Sequence, residues 1–214
     1  MMRIVLLSCV LFSRSTTGFV PRTTRSRGEF PPSQTRDEAD AYGPEVTSGC
    51  VRNVENHLRL LDQSLATSRG AGVFEWIRTR APPGAAPATA VRLDADARFG
   101  VLSHGTQPDP VFNYGNAASL ALFEHDIEGL CRTPSRHSTV PELMEDRSRL
   151  IRDIETQGYG YIDDAVRVSA RGRLFRIRRI LVWTVFDDMG HRIGLAAVYD
   201  RNEVTPYEDD NLHS

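Results

Sequence analysis

Apolar residues recur along this chain with two periods, and the change from one to the other divides it. Val51, Val54, Leu58, Leu61 and Leu65 fall three or four apart. That spacing predicts a helix from about Val51 to Thr67, capped by Ser48, whose stripe packs either on its own domain or on a partner helix. Arg69–Ala90 is rich in Gly, Ala and Pro, with Val73–Ile77 as its one apolar patch, and reads as a long loop. Phe99–Ser103 and Val111–Tyr114 read as strands, Asn116–Glu124 as a helix and Asp126–Cys131 as a further helical turn. Thr139 and Glu142 match a capping box with Pro141 in the first turn. They predict a helix to about Gln157 whose inner face is Leu143, the stem of Arg147, Leu150, Ile151 and Ile154. Ile162–Ala170, Arg173–Phe186 and Arg192–Tyr199 then read as strands joined by short Gly-containing turns, the pattern of antiparallel hairpins. In the middle strand, Phe175, Ile177, Leu181, Trp183 and Val185 are expected on one face, with Arg176 and Arg178 on the other. The chain closes in an acidic stretch containing Glu208, Asp209 and Asp210, and shows no internal repeat.

The N-terminal region follows different rules. Arg3 precedes an apolar run, Ile4–Phe12, far shorter than the roughly 20 residues needed to span a bilayer, with small residues at Thr16 and Gly18. This reads as a signal peptide over residues 1–18. Phe19-Val20-Pro21 then leads into a basic, hydroxyl-rich stretch with no acid before Glu29, which has transit-peptide composition. The combination resembles the bipartite plastid presequence of algae with secondary plastids, with simple secretion as the alternative. Glu29–Val46 has no apolar period and reads as a disordered linker. The expected organisation is a signal peptide (1–18), a transit-like segment and linker (19–46), one domain (47–200, with 70–90 as a loop) and an acidic tail (201–214).

Composition narrows the chemistry. All 26 cationic residues are Arg. The absence of Lys excludes Schiff-base catalysis, a pyridoxal phosphate anchor and a P-loop lysine. Without residues 1–27 the chain holds 21 Arg against 28 acidic residues, a net of −7. Such a domain is a poor match for nucleic acid or anionic membranes. Beyond Cys9, only Cys50 and Cys131 remain, too few for a disulfide framework.

The element order (two strands, short helices, a longer helix, a three-strand meander) is that of a PAS domain. At residue level, SHGTQPDPVFNYGN at Ser103–Asn116, ALFE at Ala121–Glu124, TPSR at Thr133–Arg136 and the FRI…VW pattern at Phe175–Trp183 resemble the MEKHLA domain family over about Val51–Asp200. That family is PAS-like. It occurs at the C-terminus of class III homeodomain–leucine zipper proteins of plants and as free-standing proteins in bacteria and algae. The resemblance implies an α+β fold: a five-stranded antiparallel sheet with short helices on one face and an extra N-terminal helix. It implies a stand-alone sensory or regulatory domain. DNA binding does not carry over, because no homeodomain, zipper or basic region accompanies it. The resemblance brings no catalytic residues.

Six residues are expected to contact a ligand: His104, Asp109, Asn113, Tyr114, Arg136 and Trp183. The pocket is placed between the sheet face of Phe175, Ile177 and Trp183 and the helices of Ala117–Arg136. Asp109 between two prolines also suits a turn, Asn116 an N-cap, and Arg136 an ion pair on a solvated surface. Ser103 and His104 are adjacent in a strand, so their side chains point to opposite faces and cannot form a nucleophile–base pair. Cys131-Arg132 has a faint likeness to the flavin-adduct cysteine of light-sensing domains, but the late strands lack the Asn and Gln that hold a flavin edge. The scattered histidines lack zinc-ligand spacing, and the long helix Glu142–Gln157 has no axial His for haem. The sequence therefore names no cofactor or metal. It points to a non-enzymatic domain binding a small molecule or a protein partner, with a homodimer through Val51–Thr67 as one arrangement. The alternatives are a structural interaction module with a filled core, and an enzyme using His104, Asp109 and Tyr114.

Overall fold

A computed structural model describes residues 49–140 and 144–207. The signal and transit-like segments, the linker, Ser48, the Pro141–Leu143 part of the expected capping box and the acidic residues 208–210 lie outside the described residues.

The first helix, α1 (Val54–Arg69), starts later than its apolar stripe suggests. Its cap is Asn53, whose side chain accepts from Asn56 N–H at 3.0 Å. Val51 lies before the helix, and its N–H donates to Asn113 O at 2.9 Å. The C-terminal end is closed by Gly70 in the left-handed region at φ 82°.

The expected loop over 70–90 is partly helical. Val73–Arg78 forms α2 and Ala90–Asp94 forms α3. The start of α2 is held from a distance: Asp62 on α1 accepts from Phe74 N–H at 2.8 Å, and burial raises the Asp62 carboxyl above its ordinary range. No local signal marks that contact, which is why composition alone reads the stretch as loop. Val73, Trp76 and Ile77 are buried by it.

The strands β1 (Phe99–His104) and β2 (Phe112–Gly115) precede two short helices, α4 (Ala117–Phe123) and α5 (Ile127–Leu130). These helices are capped by Asn116 and Asp126 respectively. A 3-10 turn at Ser135–Ser138 leads towards α6 (Met144–Gln157), and β3 (Tyr159–Val168), β4 (Leu174–Phe186) and β5 (Arg192–Asp200) complete the meander. A short strand, β6 (Val204–Pro206), follows where only an acidic tail is expected, and pairs with Phe175–Ile177 of β4. The main sheet runs β2-β1-β5-β4-β3, with every pairing antiparallel. This is the α+β, PAS-like class that the element order predicts, with the N-terminal helix as an addition.

Helices cover both faces of the sheet. On one, α1, α2 and α3 pack Leu58, Leu61, Leu65 and Trp76 against Val101, Tyr114, Leu181, Trp183 and Val198. On the other, α4, α5 and α6 bring Leu122, Phe123, Leu130 and Ile154 against Leu102, Phe175, Ile177, Ile180 and Tyr199. The apolar stripe of α1 thus packs on its own domain. On α6, Ile154 is buried as expected but Leu150 is 40% exposed.

The single apolar face expected of β4 is split between these two cores. Phe175 and Ile177 lie with Ile180 and Val182, whereas Leu181, Trp183 and Val185 lie on the α1 side. The same shift of parity occurs on the neighbouring strand, where Ile162 and Ala165 share a core although three residues apart. Between them sits Asp164, at φ 51°, opposite the stretch of β4 where the alternation slips. One left-handed residue rotates the strand enough to exchange inside for outside.

Candidate functional site

The face of the sheet beneath α4, α5 and α6 is incompletely filled. It holds a cavity of about 70 Å³ walled by Leu102, Phe123, Ile162, Ile180, Leu195 and Tyr199, among others, with Ser103, His104, Ser138 and Arg167 as polar members. Ligand pockets typically measure about 300–1,000 Å³, whereas one water needs roughly 10–15 Å³. The space as it stands suits a few small atoms and is too small for a flavin or a haem. Tyr199 forms part of its floor. Its ring lies across Gly100, where any Cβ would overlap it, and its hydroxyl meets Ser119 Oγ at 3.1 Å. Burial pushes the Tyr199 phenol well above its ordinary range.

Of the six residues expected at the ligand, His104 alone lines this cavity. It is half-buried, with Nδ1 2.8 Å from Gly105 O and its ring edge-on to Phe112 at 6.5 Å. Asp109 and Arg136 form an exposed two-pronged ion pair at 2.8 and 3.0 Å, which lowers the Asp109 carboxyl below its ordinary range. The pair joins the turn after β1 to the 3-10 turn before α6 and lies outside the cavity.

Asn113, Tyr114 and Trp183 do not line this cavity. Trp183 is fully buried on the α1 side, where Nε1 donates to Leu61 O at 3.1 Å. Tyr114 is on the same side, and its hydroxyl donates to Asp94 Oδ1 at 2.9 Å. Burial and the adjacent Asp94 carboxylate both push the Tyr114 phenol upward. Asn113 is buried and accepts from Ser103 Oγ at 2.6 Å. The parity slip in β4 removes Trp183 from the expected pocket, and the register shift between Ser103 and His104, which skips Asn113 in the pairing of β1 with β2, puts Tyr114 on the face opposite Phe112, which does line the cavity.

Sequence reasoning misses the partner of that serine. His57 on α1 places Nε2 2.9 Å from Ser103 Oγ. Because the serine proton goes to Asn113 Oδ1, Nε2 must carry the proton that completes the string, so His57 donates to Ser103 and does not receive from it. This is the reverse of nucleophile activation. Burial lowers the His57 pKa to about 4, so the ring is neutral at pH 7. The string ties α1 to β1 and β2. The sequence signal was a lone His on the apolar face of a helix, one residue before Leu58, with nothing to name its partner.

The two remaining cysteines also meet. Cys50 and Cys131 form a disulfide with Cα atoms 5.4 Å apart, across 81 residues of sequence. In this state Cys131 has no thiol to offer a flavin. Their even number was the available signal, but spacing alone cannot show proximity. Among the described residues, no group of three or more His, Cys, Asp or Glu is placed to hold a metal ion, and no helix is long and apolar enough to cross a membrane.

Comparison with known proteins gives a family and a set of distant shapes. A family model described as the MEKHLA domain matches residues 56–204. Among solved structures, the PAS domain of a protein from Colwellia psychrerythraea is 16% identical with a TM-score of 0.42, covering 58% of this chain and 96% of that one. A light-oxygen-voltage domain studied with a flavin analogue is 15% identical with a TM-score of 0.40, covering 56% and 84%. A blue-light activated histidine kinase of Erythrobacter litoralis is 17% identical with a TM-score of 0.41, covering 55% of this chain and 36% of that one. None of the three carries functional weight for this chain. No curated protein matches the sequence.

Proposed function

This chain belongs to the MEKHLA domain family, matched over most of its length, and from that premise we propose that it is a non-enzymatic sensory or regulatory domain that takes a small, mainly apolar molecule beneath α6. The observation that carries this reading is the apolar cavity between the sheet and α4, α5 and α6. Two buried, unpaired hydroxyls neighbour lining residues of this cavity without themselves lining it. Thr184 Oγ1 is buried without a hydrogen-bond partner, and Thr184 pairs across the sheet with Leu195, a wall residue, so the two share a face. Thr139 Oγ1, next to the wall residue Ser138, is likewise buried and unpartnered. Leaving such groups unsatisfied costs about 1–3 kcal/mol each, which a bound hydroxyl or carbonyl would recover. The assignment of no enzymatic role rests on the polar clusters. His57 donates to Ser103, and Asp109 is engaged by Arg136. The presequence-like composition of residues 1–46 supports delivery to a plastid, with secretion as the alternative. A second copy, if bound through the N-terminal helix, would meet the outward face of α1, where Glu55 and Arg59 pair at 2.6 Å.

The test is native mass spectrometry with an absorbance spectrum on the chain purified from its own cells. A co-purifying small molecule, lost in Leu195→Trp while the circular dichroism is unchanged, is the expected result. An apo mass in the wild type, with no thermal shift from small apolar alcohols and ketones, would leave the second reading: an interaction module with a nearly filled core. The small size of the cavity is the observation that favours that alternative.

A further inference from the structure

The apolar cavity has a larger neighbour. A second cavity of about 360 Å³ adjoins it, and Phe112, Phe123 and Ser138 line both. The other walls of this outer cavity are the turn between β3 and β4, at residues 168–170 and Gly172, and the residues that flank α5, namely His125, Thr133 and His137. Its volume falls within the roughly 300–1,000 Å³ usual for ligand pockets, which the inner cavity alone does not reach. His137, Ala170 and Gly172 are exposed, whereas Phe112 and Phe123 are buried. The outer cavity thus faces solvent at one end and the apolar cavity at the other.

Polarity changes along this path. Towards the sheet the walls are Ile177, Ile180, Val182 and Leu195. Towards solvent they are hydroxyls and imidazoles. The hydroxyl protons are committed: Thr133 Oγ1 donates to Gly129 O at 2.8 Å, Ser138 Oγ to Ser135 O at 2.7 Å, and Ser169 Oγ to Glu124 Oε2 at 2.5 Å. The rings of His125 and His137 make no hydrogen bond among the described residues. Burial lowers the His125 pKa below its ordinary value, against the pull of the Asp126 carboxylate, so this ring is neutral at pH 7 and offers one N–H. The acids nearby are occupied. Asp109, close to His137, pairs with Arg136, Asp126 caps α5, and Glu124 faces Ser169 and Arg173. A head group that only accepts hydrogen bonds therefore meets two donor rings. Because the mouth is open, such a head keeps water on its outer side and its charge is not fully desolvated.

We infer that the two cavities form one site for a medium-chain carboxylic acid, its chain in the apolar cavity and its carboxylate in the outer one, accepting from His125 and His137. This rests on the reading of the apolar cavity as a ligand site and names the class of ligand. The inner cavity takes only a few methylene groups, so the chain is of medium length. Binding is non-covalent, and Phe112 and Phe123 flank the chain where it passes from one cavity to the other.

The experiment titrates the full chain with octanoate, octanol and butanone, followed by thermal shift and by the histidine ring signals in NMR. Octanoate should bind at least about tenfold more tightly than octanol, as expected for charge-assisted hydrogen bonds, and should move the His125 and His137 signals. The double variant His125→Ala, His137→Ala should lose that tenfold preference and leave octanol and butanone binding unchanged. Leu195→Trp should weaken all three; should it fail to fold, the ranking in the wild type and the double variant gives the test. Octanol binding as tightly as octanoate, or octanoate binding untouched by the double variant, overturns the inference while the apolar cavity stands as a ligand site. No binding of any of the three overturns both.

Discussion

Ala196 and Ala197 are neighbours in β5, on opposite faces of one sheet and in unlike surroundings. Ala196 is buried in the core under α1, among Leu58, Leu61 and Trp183. Ala197 lies at the edge of the other core, and both alanines are among the residues that line the cavity. The difference comes from what covers each face. α1 is 16 residues long and lays a continuous apolar stripe on the strands, so side chains interdigitate along its whole length. α4 and α5 have seven and four residues, and each end needs a polar cap and a turn. The gap that α4, α5 and the longer α6 leave between them over the strands is the cavity. The face under α1 is filled, and the opposite face keeps a cavity.

That contrast can be broken most severely at Trp183. Trp183→Ala removes a fully buried indole and its bond to Leu61 O, and should cost about 3–5 kcal/mol by urea unfolding. A loss below about 1 kcal/mol would show that the α1 face is not the stabilising one.

Acid attacks the same face through His57. Its folded pKa is lowered to about 4 from 6.5, so between those values the unfolded chain binds a proton that the folded chain does not. Stability from this group is therefore complete above pH 6.5 and falls as pH drops towards 4, by on the order of 3 kcal/mol. Unfolding free energies at pH 7.5 and 4.5 should differ by that amount in the wild type and by much less in His57→Gln. Equal differences in the two proteins would place the acid sensitivity elsewhere.

The two alanines sharpen the comparison directly. Ala196→Leu should cost about 1–3 kcal/mol through overpacking, whereas Ala197→Leu, growing into the cavity, should change stability by less than about 1 kcal/mol. Denaturation of both variants in parallel measures this, and identical costs would mean that both faces are equally filled. The smallest effect is expected at the exposed pair: Asp109→Asn should leave the unfolding midpoint within replicate scatter, and a clear shift would give that turn a role in holding the fold.

Much of the fold was legible because its signals are local. Asn116 before a small-residue helix, the Gly-containing turns between β-rich runs and the helical stripe from Leu58 to Leu65 each act within a few residues, and each is where the sequence placed it. The site was less legible. Asp109 and Arg136, both expected near a ligand, instead bond each other across 27 residues. Asn113 serves Ser103, and Tyr114 serves Asp94. None of these partners can be read from spacing, because hydrogen bonds between distant segments leave no periodic trace.

By itself the sequence determined the antiparallel α+β class and the order of strands and helices, since periodicity, caps and turn residues are properties of neighbouring positions, and the likeness of its SHGTQPDP and FNYGN blocks pointed to the family. The tertiary structure alone decided which side of β4 faces which core. The alternation of β4 slips between Ile177 and Ile180, opposite the left-handed Asp164 of β3, and that slip exchanges every later side chain of β4 between faces. It alone brought Cys50 to Cys131 and His57 to Ser103 as well, since contacts across 81 and 46 residues arise only once the sheet has closed.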